Sequence, residues 1–168
     1  MIILGIDPGT ARMGYGIVEV KNKNKFKLHK TDVLVTHPNL EPENRLKFLY
    51  NELVGIIKEY SPEVMVIEQL FFNTNAKTAI AVGQARGICM LAAANHKVKI
   101  HNHTALEAKL ALTGYGRADK KEMQACVMKL LGLSQIIKSD DANDAVAMAL
   151  CYVKKHVNGE KSPERKKR

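Results

Sequence analysis

Ile2-Ile3-Leu4-Gly5-Ile6-Asp7-Pro8-Gly9-Thr10 is a nearly continuous apolar run that ends in an acid and a Pro-Gly turn signal. Such a run is the pattern of a strand covered on both faces. The same arrangement returns at Val64-Met65-Val66-Ile67-Glu68. Open α/β sheets build their sites at the carboxyl ends of strands. If these two strands are neighbours, Asp7 and Glu68 stand side by side.

Outward from the first run, extended segments are expected at Gly14–Val20 and Phe26–Val35, joined by a polar link over Lys21–Lys25. Three strands with short connections fit an antiparallel meander. Pro42 opens a helix whose apolar positions, from Leu46 to Ile57, recur at helical spacing, and Ser61-Pro62 closes it. After the Val64 strand, residues 76–95 read as a long helix of small and apolar residues, and Val98–Ile100 as a short fifth strand. Helices follow at about 104–112, 120–131 and 141–156, with a glycine loop over Thr113–Gly116 between the first two. The expected fold is α/β: a mixed five-stranded sheet, a three-strand antiparallel meander plus two parallel strands, with helices on both faces. Residues 1–156 form one domain, and 157–168 a basic tail expected to be disordered.

The chain has 168 residues, 46% of them apolar, which supports a genuine core and excludes wholesale disorder. No apolar run approaches the roughly 20 residues needed to span a bilayer. Asp7 and Pro8 interrupt the N-terminus before any secretory pattern develops, so a cytoplasmic protein is expected. Cys89, Cys126 and Cys151 form no CxxC pair and lie in apolar helical patterns, which suggests buried thiols in a reducing compartment. The net charge is +9, of which residues 154–168 carry +5. A modestly basic body with a strongly basic end suggests a polyanionic partner, nucleic acid before membrane.

A second pair of acids lies in Asp141-Ala142-Asn143-Asp144. At i and i+3 they share one side of a helical first turn, and that side continues through Ala145, Met148 and Tyr152. Acids near a helix N-terminus complement its dipole without any further role, and either Asp140 or Ser139 suits the N-cap. That accounts for an acid here but poorly for two that face the core. Four inward carboxylates cannot all ionise in one pocket without compensation. Hard oxygen donors without a Cys or His cage suit Mg²⁺ or Mn²⁺. On a basic protein, the matching chemistry is phosphodiester hydrolysis by two metals roughly 4 Å apart.

Ile3–Thr10 with Gly14-Tyr15-Gly16, Ile67-Glu68-Gln69 with Phe71, Gly83-Gln84-Ala85-Arg86-Gly87 and Asp141-Ala142-Asn143-Asp144-Ala145 together resemble the RuvC family of Holliday junction resolvases, the crossover junction endodeoxyribonucleases. The motifs are collinear from Met1 to about Tyr152. The resemblance implies an RNase H-like fold and symmetric paired nicks in two opposed strands of a four-way junction, during homologous recombination and DNA repair. It marks Asp7, Glu68, Asp141 and Asp144 as catalytic acids holding Mg²⁺ or Mn²⁺, with two ions per active site. It matches Phe71 to an aromatic directed at the junction, and Lys109 and Lys120 to basic residues near the scissile strand, with Lys121 beside Lys120 leaving that register open. It further implies a homodimer and cooperation with a branch-migration complex.

Other readings sit beside this one. Asp7-Pro8-Gly9-Thr10 also looks like the phosphate turn of actin-like ATPases, but those need two such domains and this chain is too short. A nuclease of the same fold acting on an RNA–DNA hybrid or a flap, or a junction-binding module without turnover, would share the acids or the charge. Phe72 is expected in the core. Gly83 and Gly87 mark a close approach on the long helix, either to the sheet or to the same helix of a second subunit. His101 and His103 share one face of a strand and are expected to be hydrogen-bonded or exposed. Arg86 is expected to pair or cap rather than bind DNA.

Overall fold

The computed structural model describes residues 1–22, 25–69 and 76–157. Five strands, β1 (Ile2–Asp7), β2 (Arg12–Asn22), β3 (Lys25–Val35), β4 (Val64–Glu68) and β5 (Lys99–His103), form one sheet in the order β3-β2-β1-β4-β5. β1, β2 and β3 are antiparallel neighbours, while β4 runs parallel to both β1 and β5. Among the described residues five α-helices cover it: α1 (Pro42–Tyr60), α2 (Ala76–Asn95), α3 (Ala105–Thr113), α4 (Lys120–Leu131) and α5 (Asp140–Tyr152).

The architecture is the expected one, with differences at the edges. β2 and β3 are longer than their apolar patterns, because the hairpin pairing continues to Asn22 and Lys25. β5 starts and ends later than expected and takes in His101 and His103, since parallel pairing with Glu68 extends it. The last helix changes to a π-helical turn at Val153–Val157. Glu107 and Glu122 complete capping boxes with Thr104 and Asp119 at the starts of α3 and α4, and left-handed Gly114 and Gly132 end those helices.

The pleat sorts the core into two layers. Leu4, Ile6, Met13, Tyr15, Ile17, Met65 and Ile67 face α1 and α2. Ile3, Val18, Val64 and Val66 face α3, α4 and α5. By the same alternation Gly5, Asp7, Arg12, Gly14, Gly16 and Glu68 belong to the α5 side. α5 is buried almost throughout, from Ala142 to Cys151. Its backbone lies directly on the sheet: a Cβ at Gly5 would run into the Ala145 carbonyl oxygen, one at Gly14 into that of Asp141, and one at Gly16 into the Val146 side chain. A glycine track under an alanine-rich helix is what permits this approach. Cys89 and Cys151 are buried as expected, whereas Cys126 is half-buried, with its thiol 3.1 Å from the Leu112 carbonyl oxygen.

Gly14→Ala therefore displaces the first turn of α5 and is expected to destabilise the fold by about 1–3 kcal/mol, the cost of overpacking. Gly55→Ala, in α1 with open space around its Cβ, is expected to stabilise by about 0.5–1 kcal/mol. Urea denaturation of the two variants checks both signs.

Candidate active site

Asp7 is the last residue of β1 and pairs across the ladder with Gly14. The parallel register that sets Ile6 beside Ile67 brings Glu68 next to Asp7 on the α5 face. Gly14 also carries the backbone of Asp141, so the glycine that flanks Asp7 seats the first turn of α5 above it. Ser139 is the N-cap of that helix, its hydroxyl accepting from Ala142 N at 3.5 Å. Asp140 is thereby the first helical residue, and Asp141 and Asp144 lie on the side toward the sheet ends. Two strands and one helix thus gather Asp7, Glu68, Asp141 and Asp144.

The electrostatics are those of neighbouring carboxyls. Glu68, only 8% exposed, has its pKa pushed up to about 8, first by burial and then by Asp7. Asp7 is raised to about 6, first by burial, with Asp144 and Asp141 adding to the rise. The two carboxyls act directly on one another, Asp7 holding Glu68 up and Glu68 drawing Asp7 down. Asp144 is also raised, by burial and then by Asp140. Burial and mutual repulsion thus raise all three of these acids.

Cations surround this group. Arg12 Nε donates to Asp141 Oδ2 at 2.7 Å. Lys120 Nζ donates to Asp140 Oδ2 at 2.6 Å. Arg86 donates to the Glu68 carbonyl oxygen and, at 2.8 Å, to Asn102 Oδ1, tying α2 to the ends of β4 and β5. Arg86 thus pairs, as expected. Lys109 and Lys120 line a cavity of about 160 Å³ together with Glu68 and Asp144, over a floor that includes Ala108, Met123 and Met148. Lys120, and not Lys121, is the lysine that reaches this cleft. Phe71 and Phe72 lie outside the described residues, as does the tail beyond Val157.

Arg12 and its bond to Asp141 escaped the reading of the sequence. The signal was present in the pleat, since Arg12 precedes Gly14 by two and shares its face. The histidines also differ from expectation. His103 is buried, and neither ring nitrogen has a hydrogen-bond partner among the described residues; the Glu107 carboxylate stands 3.4 Å from Nδ1 without hydrogen-bond geometry. Burial lowers its pKa. His101 packs edge-on against Tyr152, with ring centroids 4.7 Å apart.

Comparison with known proteins agrees with the fold and identifies the family. Residues 3–152 match the family model described as crossover junction endodeoxyribonuclease RuvC. The protein of that name from Desulforamulus reducens is 51% identical over 152 residues, covering 90% of this chain and 93% of the relative. The one from Caldicellulosiruptor saccharolyticus is 48% identical over 153 residues, covering 91% and 92%. Among solved structures, Thermus thermophilus RuvC superposes with a TM-score of 0.88 at 30% identity, over 97% of this chain and 99% of that one. The T. thermophilus protein in complex with a Holliday junction substrate gives 0.90 at the same identity and coverage. With a fold of the RNase H-like kind, four acids gathered at its strand ends and a family match over nearly the whole chain, this protein belongs to the RuvC family of crossover junction endodeoxyribonucleases.

Proposed function

We propose that this chain resolves four-way DNA junctions by symmetric paired nicks, with Asp7, Glu68, Asp141 and Asp144 as its catalytic acids. The observation that carries this is that Glu68 and Asp144 line one cleft with Lys109 and Lys120, while Asp7 lies beside Glu68 and within electrostatic reach of Asp141 and Asp144. The donor set fits divalent cations: every group is a hard oxygen ligand, and the raised affinity of Asp7 and Glu68 for protons marks charge that a cation would neutralise instead. We assign Mg²⁺ or Mn²⁺, two per site. Bound there, the ions supply activation of the attacking water and stabilisation of the departing 3′ oxygen.

The protein's own part is positional. Asp7, beside Glu68 and within electrostatic reach of the α5 acids, would be a ligand for the cations. Glu68 gives up its proton when the site loads. Lys109 and Lys120 hold the scissile phosphate and balance its charge. Phe71, which follows Glu68 by three, is assigned to the junction on the family motif. The basic tail adds phosphate contacts that carry no base information. A site in the cytoplasm, beside a branch-migration complex, accords with the family; among the described residues no helix is long and apolar enough to cross a membrane.

Two opposed strands must be cut, and one active site per chain makes an isologous dimer the simple solution. α2 offers the surface. Ile80, Met90 and Leu91 are 67%, 48% and 55% exposed on the stripe that contains Gly83 and Gly87. A Cβ at either glycine would meet nothing within 4 Å, so the sheet is not what approaches there. This supports the second subunit.

Three outcomes test this reading. Asp7→Asn is expected to keep junction binding and to lose cleavage by more than about 100-fold, as for removal of a main charge-stabilising group; strand-by-strand product mapping in Mg²⁺ and in EDTA measures it, and undiminished nicking would sink the reading. Leu91→Glu is expected to give a monomer in light scattering that no longer nicks both strands together. The third concerns pH. Folding raises Asp7 and Glu68 above their ordinary 3.8 and 4.5, so the metal-free fold binds more protons than the unfolded chain and loses stability as pH rises from about 4 through about 8. Glu68→Gln should flatten that decline in calorimetry with EDTA, while abolishing cleavage.

A further inference from the structure

Arg12 stands at the start of β2 on a fixed base. The Thr36 hydroxyl donates to Thr10 O at 2.8 Å and Thr36 N to Ala11 O at 3.0 Å, which clamps the turn just before it. Gly14 and Gly16, next on the same face, lie under α5, so the pleat directs Arg12 at that helix's first turn. Its guanidinium meets Asp141 at 2.7 Å. Among the described residues no three His, Cys, Asp or Glu side chains stand ready-made around a common point for an ion. The Asp141 carboxylate is occupied by an arginine.

We infer that Arg12 is the resident counter-cation of this site: it holds Asp141 while the site is metal-free, and releases it when divalent cations load. Arg12 is thus a positioning residue that acts through Asp141, and it tunes the cation concentration at which the enzyme assembles. The side chains are 53% and 32% exposed, so the bond is reversible and screened by salt. A buried pair would lock the site; an exposed one competes. This inference rests on the proposed metal-binding role of the four acids.

The test is Mn²⁺ binding to the DNA-free protein, read by titration calorimetry and by the thermal shift on adding metal. Arg12→Gln is expected to lower the Mn²⁺ midpoint about two- to fivefold, the worth of one exposed ion pair. Arg12→Lys should stay near the wild type. The difference between Arg12→Gln and wild type should shrink as NaCl rises toward about 1 M, where the screening length is only about 3 Å. Lys121→Gln, which removes an exposed cation that forms no ion pair with the four acids, should leave the midpoint in place. An Arg12→Gln midpoint that is unchanged or weaker overturns the inference, and so does an equal shift in Lys121→Gln. Asp7→Asn separates this from the larger reading. If Mn²⁺ binding survives that change intact, the four-acid site itself fails; if it is lost there yet unmoved in Arg12→Gln, only the role of Arg12 falls.

Discussion

The contact between the α5 backbone and the sheet is what the rest of the molecule depends on. Gly5, Gly14 and Gly16 remove the side chains that would hold the helix away, and Ala142, Ala145 and Ala149 keep its lower side equally bare. A helix packed through larger side chains would sit farther off, and its first turn would carry Asp141 and Asp144 out of reach of Asp7 and Glu68. Packing and chemistry are one constraint here. The core on this face is built from close backbone approach, and that approach sets the spacing of the acids. The opposite face, filled by Leu4, Ile6, Leu49, Leu53 and Ile67, is an ordinary side-chain core and bears no such demand.

Gathering four carboxylates costs free energy that the metal-free protein must offset locally. It uses two devices. Toward the interior, burial and mutual repulsion raise Asp7 and Glu68, so that they hold protons more tightly than free carboxyls. Where water reaches, cations serve: Arg12 on Asp141 and Lys120 on Asp140. The division follows dielectric. Arg86 gives its donors to the Glu68 carbonyl oxygen and Asn102, so its charge eases the Glu68 carboxyl without a hydrogen bond to it. The inner acids therefore remain available to a cation that can displace a proton.

Most of the site was readable in the sequence because its parts coincide with local signals. Asp7 and Glu68 each end an apolar run, and strand ends in a parallel pair must align. Asp141 and Asp144 sit at helical spacing beside an apolar stripe. What was not readable depended on tertiary register. β5 reaches His103 only because Glu68 offers it a partner, so its apolar pattern stops short of its true end. His103 is buried because α5 and its π-helical extension close over that edge, with His156 stacked 5.4 Å from it. Nothing in the spacing of His101 and His103 conveys that. Arg12 belongs to the same class: an exposed arginine in a turn is unremarkable until the pleat and Gly14 show what lies across from it.

The sheet also separates the two demands that the proposed junction-cutting dimer would place on it. The acids lie on the α5 face, and the apolar stripe of α2 lies on the other layer, so association need not disturb the spacing of the acids. One link crosses between them. Arg86, on α2 between Gly83 and Gly87, bonds to the backbone of Glu68 at the end of β4. A helix held by its twin across a two-fold axis would hold that arginine, and through it the strand end that carries Glu68. The same helix then does two things in the proposed dimer: it fixes the separation of the two clefts and steadies one acid of each.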